Sequence, residues 1–159
     1  MGRYTEGSLD EPSAGSDWSF VPSSTDSFRL TSIYAKFTTS ATVASRTPRL
    51  TVTSQSGADL FAKATVSTIG ASVTTIFSWS SGAGPATGGS TSYDGTISDG
   101  VPDWWMPPNT TIKIVTGLLQ AADQWFDIAW TALIDDERGR LERLVDIEEA
   151  IARSLHPGG

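Results

Sequence analysis

The hydrophobic positions of this chain recur with a period of two over most of its length and change to helical spacing only near the C-terminus. Phe28 and Leu30, then after an irregularity Ile33, Ala35 and Phe37, share one face, while Tyr34 and Lys36 take the other. Residues 38–44 are threonine-rich, and beyond Arg46 the alternation resumes with Pro48, Leu50 and Val52 against Arg49, Thr51 and Thr53. Pro48 belongs at the beginning of that strand, because it has no amide to donate to a central ladder. A glycine-containing turn over 54–59 leads to Leu60, Ala62, Ala64 and Val66, which are expected to share one face. After Gly70, Val73, Thr75, Phe77 and Trp79 alternate with Thr74, Ile76 and Ser78. β-Branched and aromatic residues fill nearly every place there, which predicts a central strand.

Residues 80–100 are dense in glycine, serine and threonine and are expected to drape over the body as an irregular loop, anchored by Tyr93 and Ile97. Pro107 and Pro108 interrupt any regular strand after Trp104 and Trp105, so a new strand should run from Ile112 to Thr116 and close at Gly117. Asn109-Thr110-Thr111 reads as the turn before it. Phe126, Ile128, Trp130, Ala132 and Ile134 alternate with Asp127, Ala129, Thr131 and Leu133, which outweighs the helical hint of Ala121-Ala122 and predicts a strand over 124–134. Phe77, Trp79, Phe126, Ile128 and Trp130 are the expected centre of the core.

Asp135 or Asp136 then caps a helix whose apolar side carries Leu141, Leu144, Val145, Ile151, Ala152 and Leu155. Glu142, Arg143, Asp146 and Glu149 form its polar side, Ile147 and Ala150 widen the apolar one, and Pro157-Gly158-Gly159 ends it. At the other terminus, residues 1–17 mix glycine, serine, proline and acids and are expected to be a flexible arm. Residues 18–21 follow as a short edge segment closed by a turn at Pro22. The pattern as a whole predicts a mainly β protein: an antiparallel jelly-roll-like sandwich over 18–134, an amphipathic helix over 135–156 and a tail over 157–159.

A chain of 159 residues supports one core. Its net charge of -7, with the basic residues scattered along the strands, argues against direct nucleic-acid binding. Cysteine is absent, which removes disulfides and thiolate metal sites. No segment has the pattern of a signal peptide or the apolar length of a membrane span, so a soluble protein made in the cytoplasm is expected. His156 is the single histidine and sits beside the terminal tail, which leaves the serines and aspartates without a base for a nucleophilic triad. Asp94, Asp99 and Asp103 lack the spacing of a calcium loop and read as turn formers, and Gly82, Gly84, Gly88 and Gly89 do not reproduce a phosphate-binding loop. No enzyme activity, metal or cofactor is therefore expected.

Two features point instead to protein contacts. Trp104 and Trp105 are adjacent, so in an extended segment they cannot both face inward, and one should be exposed or covered by another chain. A subunit contact is preferred there over packing within the chain, and both over stacking on a glycan. The helix face of Leu141, Leu144, Val145, Ile151 and Leu155 either closes its own sandwich or docks on a neighbouring protomer.

The stretch Leu30-Thr31-Ser32-Ile33-Tyr34-Ala35-Lys36-Phe37-Thr38-Thr39-Ser40-Ala41-Thr42-Val43-Ala44-Ser45-Arg46-Thr47-Pro48-Arg49-Leu50-Thr51-Val52 resembles a segment of small structural virion proteins of tailed bacteriophages. Met106-Pro107-Pro108-Asn109-Thr110-Thr111-Ile112 and Ala122-Asp123-Gln124 are similar to the same family's pattern, and the resemblance spans roughly residues 18–134 without the helix. It implies a capsid decoration or cement protein on the virion exterior, bound to a major capsid or other virion protein, with no catalytic residues to carry over. A homo-oligomer is expected, a trimer in preference, because it would match local threefold positions of an icosahedral lattice. A head-to-tail connector or tail protein, and a glycan-binding module of a host-recognition apparatus, are the alternatives.

Overall fold

The alternating segments form strands where β-branched and aromatic residues dominate. A computed structural model describes residues 2–65, 68–82, 95–135 and 137–155. In chain order the strands are β1 (Arg3–Ser8), β2 (Ser19–Phe20), β3 (Ser27–Thr38), β4 (Thr47–Thr53), β5 (Asp59–Ala64), β6 (Thr74–Ser80), β7 (Gly95–Gly100), β8 (Thr111–Gly117) and β9 (Gln124–Asp135). One helix, α1 (Glu137–Leu155), follows them. A five-stranded sheet in the order β1-β9-β3-β6-β7 packs on a four-stranded sheet in the order β2-β8-β4-β5. The predicted sandwich with a C-terminal helix is thus the observed architecture, and β6 takes the expected interior position.

The core lies between the sheets. Phe28, Leu30, Ile33, Ala35 and Phe37 of β3 face Leu50 and Val52 of β4 and Ile112 and Ile114 of β8, all buried. At its centre Trp125 stacks on Phe37, with ring centroids 4.4 Å apart, and packs against Phe77 and, edge-on, against Trp18. The irregularity expected after Leu30 is a register shift of β3 against β9 between Leu30 and Ser32.

Five expectations are corrected. First, β6 and β7 pair in parallel, so the sandwich is of mixed topology. The last six residues of the segment expected as loop are therefore strand: their Ser, Thr and Gly content hides an alternation in which Ile97 and Asp99 turn inward. Ile97 is the anchor it was expected to be, whereas Tyr93, Asp94, Gly84, Gly88 and Gly89 lie outside the described residues. Asp99 is no turn former: it is buried beside Lys63, and its Oδ1 also accepts from the Gly100 amide at 2.7 Å.

Second, β5 shows Leu60, Ala62 and Ala64 to solvent. Its register opposes Phe61 to Val52 and Lys63 to Leu50, and cross-strand partners share a face, so Phe61 and Lys63 point inward. Lys63 crosses to Asp99 and ties the open edge of one sheet to that of the other. Val66 lies outside the described residues.

Third, β9 does not keep one parity. Asp127 adopts φ 51°, and the register against β3 slips between Tyr34 and Lys36. Trp125 is inward before this bulge and Ile128, Ala132 and Ile134 after it, while Phe126 is left on the outer side under Lys36. Of the five expected core residues, Phe77, Trp79 and Ile128 are buried, and Trp130 is half-buried against Phe20.

Fourth, the described residues 2–17 of the expected arm, 1–17, are held on the sandwich. β1 pairs antiparallel with β9 from Arg3 opposite Ile134 to Ser8 opposite Ala129. Gly7 lies so close to the Trp130 indole that a Cβ there would approach it to 2.6 Å. Leu9 N donates to Ile128 O at 3.0 Å, and Gly15 N to Asp123 O at 2.8 Å. Asp17 then accepts from the Thr116 amide, the Thr116 hydroxyl and the Trp125 indole. Low apolar content was a sound guide to weak burial, but backbone ladders and a carboxylate hold this segment instead.

Fifth, Arg46 is no scattered surface cation. Its Nε and Nη2 donate to the two oxygens of Asp123, each at 2.9 Å, and both side chains are fully buried. Asp123 also accepts from the Ser40 amide, the Ser40 hydroxyl and the Gln120 amide, while Arg46 Nη1 donates to Ala44 O. Burial pushes the Asp123 carboxyl up, but the bonds from Arg46, from the Ser40 and Gln120 amides and from the Ser40 hydroxyl outweigh it, and the net shift is downward.

A folded-state value below the unfolded one makes the ionised form stabilising above the ordinary aspartate range, and that stability is lost as pH falls through it. Unfolding in urea should therefore show a midpoint that drops below about pH 4, and Asp123→Ala, which leaves a buried guanidinium unpaired, should cost about 3–5 kcal/mol and flatten that acid limb. Phe77→Ala should cost about 3–5 kcal/mol in the same measurement, and a loss under about 1 kcal/mol would place Phe77 outside the core.

Candidate assembly surfaces

The aromatic pair owes its exposure to the residues on either side. Val101 and Pro102 are buried, and Met106 is fixed by a two-way backbone bridge to Phe28, with N–O distances of 2.9 and 2.7 Å. Asn109, at φ 60°, donates its amide to Ser23 O and its Nδ2 to Ser24 O, which turns the chain into β8. Between these fixed points Asp103, Trp104 and Trp105 bulge outward. Trp104 is 41% exposed and Trp105 46%, so both members of the pair, not one, reach solvent.

Neither ring stands free. Trp104 meets the Phe61 ring edge-on at 6.0 Å, and the Arg29 guanidinium lies 5.9 Å from the Trp105 ring centroid. Arg29 is also 3.5 Å from the exposed carboxylate of Asp103. The result is an aromatic patch with the Arg29–Asp103 ion pair at its border. The pair Trp104 and Trp105 was legible in the sequence. Phe61 and Arg29 were not, because only the folding of β5 and β3 to the same end brings them there.

The helix carries the second surface. Leu141, Leu144, Val145, Ile147, Ile151 and Leu155 are between 53% and 70% exposed, and α1 packs on none of the described strands. A face of that composition left in water is unusual for a protein that functions alone. Glu148 falls midway between Leu141 and Leu155, inside the apolar arc and not opposite it. Glu149 pairs with Arg153 along the other side at 3.2 Å. Asp135 ends β9, while the other expected cap, Asp136, lies outside the described residues, as does His156.

The remaining polar chemistry is structural. Asp99 pairs with Lys63 and Asp103 with Arg29. Among the described residues there is no group of three or more His, Cys, Asp or Glu side chains that could hold a metal ion. No described helix is long and apolar enough to cross a membrane. The outer face of the five-stranded sheet bears a shallow groove, bordered by Glu6, Asp10, Glu11 and the Lys36–Asp127 pair around Tyr34.

No protein-family model and no curated protein matches this chain. Two solved structures do, at a distance: those of infectious bursal disease virus, Gt strain and Gx strain, each 16% identical. The alignments cover 84% of this chain and 32% and 29% of the chains matched, with TM-scores of 0.32 and 0.31. This chain thus spans about a third of their length. Both matches are to a virus and neither is to a tailed bacteriophage, and they are too distant to assign a function or a partner.

Exposure of the aromatic pair is open to a direct check. The chain has six tryptophans, of which Trp18, Trp79 and Trp125 are buried and Trp130 is half-buried. Replacing Trp104 and Trp105 together by phenylalanine should remove most of the acrylamide-quenchable emission of the dilute protein. Quenching equal to that of the wild type would mean that the pair is already covered.

Proposed function

We propose that this protein is a structural component of a virion, decorating and stabilising a bacteriophage capsid from the outside through protein–protein contacts. The observation that carries the assembly part of this reading is the exposed apolar face of α1, standing off a sandwich whose core is complete without it. Burying such a face favours association through the hydrophobic effect, and the half-exposed Trp104 and Trp105 add the residue type most enriched at the centres of interfaces. The tailed-phage setting rests on the resemblance of residues 30–52 and 106–112 alone. A trimer is the preferred oligomer, for the symmetry reason given above. A head-to-tail connector would use the same fold and surfaces, and copy number in the particle separates the two: many copies over the shell for decoration, six or twelve at one vertex for a connector.

Leu144→Asp places a charge in the middle of the apolar helix face, where desolvation opposes burial. The variant should keep the β-sheet circular dichroism of the wild type and lose most of its occupancy on particles. Unchanged occupancy with an intact sandwich would remove the helix from the assembly contact.

A further inference from the structure

The two uncovered apolar surfaces originate at the same end of the sandwich. Gly2 lies between the Trp105 ring and the ends of Ile134 and Leu133: a Cβ on it would be 3.3 Å from Trp105 and 3.1 Å from Ile134 O. β9 ends one residue beyond Ile134, and α1 begins at Glu137. The patch therefore sits at the root of the helix. Charges of opposite sign lie where contact would form: Glu148 within the helix face, and Arg29 against Trp105, where it also pairs with the exposed Asp103 at 3.5 Å.

Three arrangements could cover the helix face, and charge discriminates among them. A symmetric bundle of copies of α1 would bring Glu148 against its own equivalents at the seam, and a buried carboxylate without a cation is strongly disfavoured. Folding back within one chain would lay the helix along the outer face of the five-stranded sheet. There Glu148 would meet the groove of Glu6, Asp10, Glu11 and Asp127, in which Lys36 is already paired with Asp127 at 2.8 Å. Glu148 would also lie about 16 Å along the axis from Glu137, at 1.5 Å per residue, and so well past the patch at the helix root. Docking on a second copy meets neither obstacle.

We infer that α1 of one copy seats its apolar face on the Trp104–Trp105 surface of a second copy, with Glu148 set against Arg29. This rests on the assembly reading above and names the partner in it. The contact joins different patches, so it propagates from copy to copy and closes into a ring or, in pairs, into a reciprocal exchange of helices. Arg29 supplies a cation that stays charged on desolvation, and the indoles supply flat apolar area at low entropic cost.

The full chain should associate in a concentration-dependent way in sedimentation velocity. Glu148→Arg and Arg29→Glu should each weaken that association by about tenfold or more, and the two together should recover most of it. Asp146→Arg, on the far side of the helix, should stay within about twofold of the wild type. A second test needs no change at Arg29. The Leu144→Asp chain keeps the patch and loses the helix face, whereas a Trp104→Ala, Trp105→Ala chain keeps the helix face and loses the patch. Neither should associate with itself, and an equimolar mixture should form a one-to-one complex. A mixture that stays monomeric, or a charge exchange in which the double variant is no better than either single one, overturns the inference. A wild-type chain that remains monomeric while Leu144→Asp still abolishes particle occupancy overturns it too, but leaves the proposed function standing with a different virion protein as partner. Unchanged occupancy of Leu144→Asp with an intact sandwich would remove the helix from the assembly contact, and this inference with it.

Discussion

The buried pair of Arg46 and Asp123 is the constraint on which the arrangement of the strands turns. Three segments that no hydrophobic pattern connects meet there: the crossing from β3 to β4, which supplies Ser40, Ala44 and Arg46; the turn from β8 into β9, which supplies Gln120 and Asp123; and the N-terminal segment, whose Gly15 donates to the Asp123 carbonyl. A buried ion pair is weak evidence for net stability, because a hydrophobic pair of similar volume often does as well. The effect expected of it here is specificity. An arginine and a carboxylate this deep can be accommodated only with a bidentate pairing and the extra donors satisfied, and that condition is met in one register of the loops.

The same pair explains why the N-terminal segment holds its place with so few apolar contacts. Gly15, at φ 74°, brings its backbone to the turn before β9, where a Cβ would come within 2.8 Å of Ala121. Asp17 then reaches Thr116 and the indole of Trp125, the ring at the centre of the core. β1 can add to β9 because the chain is already positioned at both of these points. An edge strand secured in this way protects one side of β9 from pairing with another molecule.

What the sequence discloses divides along the same physical line. Period-two burial decides β2, β3, β4, β6, β8 and β9, and these were legible, as were the helix and the exposure of Trp104 and Trp105. The sequence does not disclose interactions whose partners are distant in the chain and whose residue types look like surface. Arg46 and Asp123 are separated by most of the sandwich, and each read alone is an ordinary polar residue. Lys63 and Asp99 fail in the same way, and with them the faces of β5 and β7, since the inward residue there is a lysine whose partner carboxylate is itself in a strand. Parity is lost at Asp127 because a bulge adds a residue without any change in composition. A polar residue can be placed only once its partner is known, whereas an apolar one needs only a face.

The division also has a spatial form. β9 is 12 residues long, about 40 Å at 3.3 Å per residue, and it runs from the polar lock at Asp123 to the root of the helix at Asp135. At the first end every buried polar atom of the pair is engaged within the chain. At the second end Phe28 is gripped between Ile134 and Met106, and this fixes the backbone on both sides of Trp104 and Trp105 while leaving their rings outside. Rigid support for exposed aromatic side chains is what an interface requires, because rings already held in place lose little freedom on binding. The two ends thus differ in kind: the lock at Arg46 and Asp123 is closed within the chain, whereas at the other end α1 packs on none of the described strands and the rings of Trp104 and Trp105 reach solvent from a backbone held by Met106.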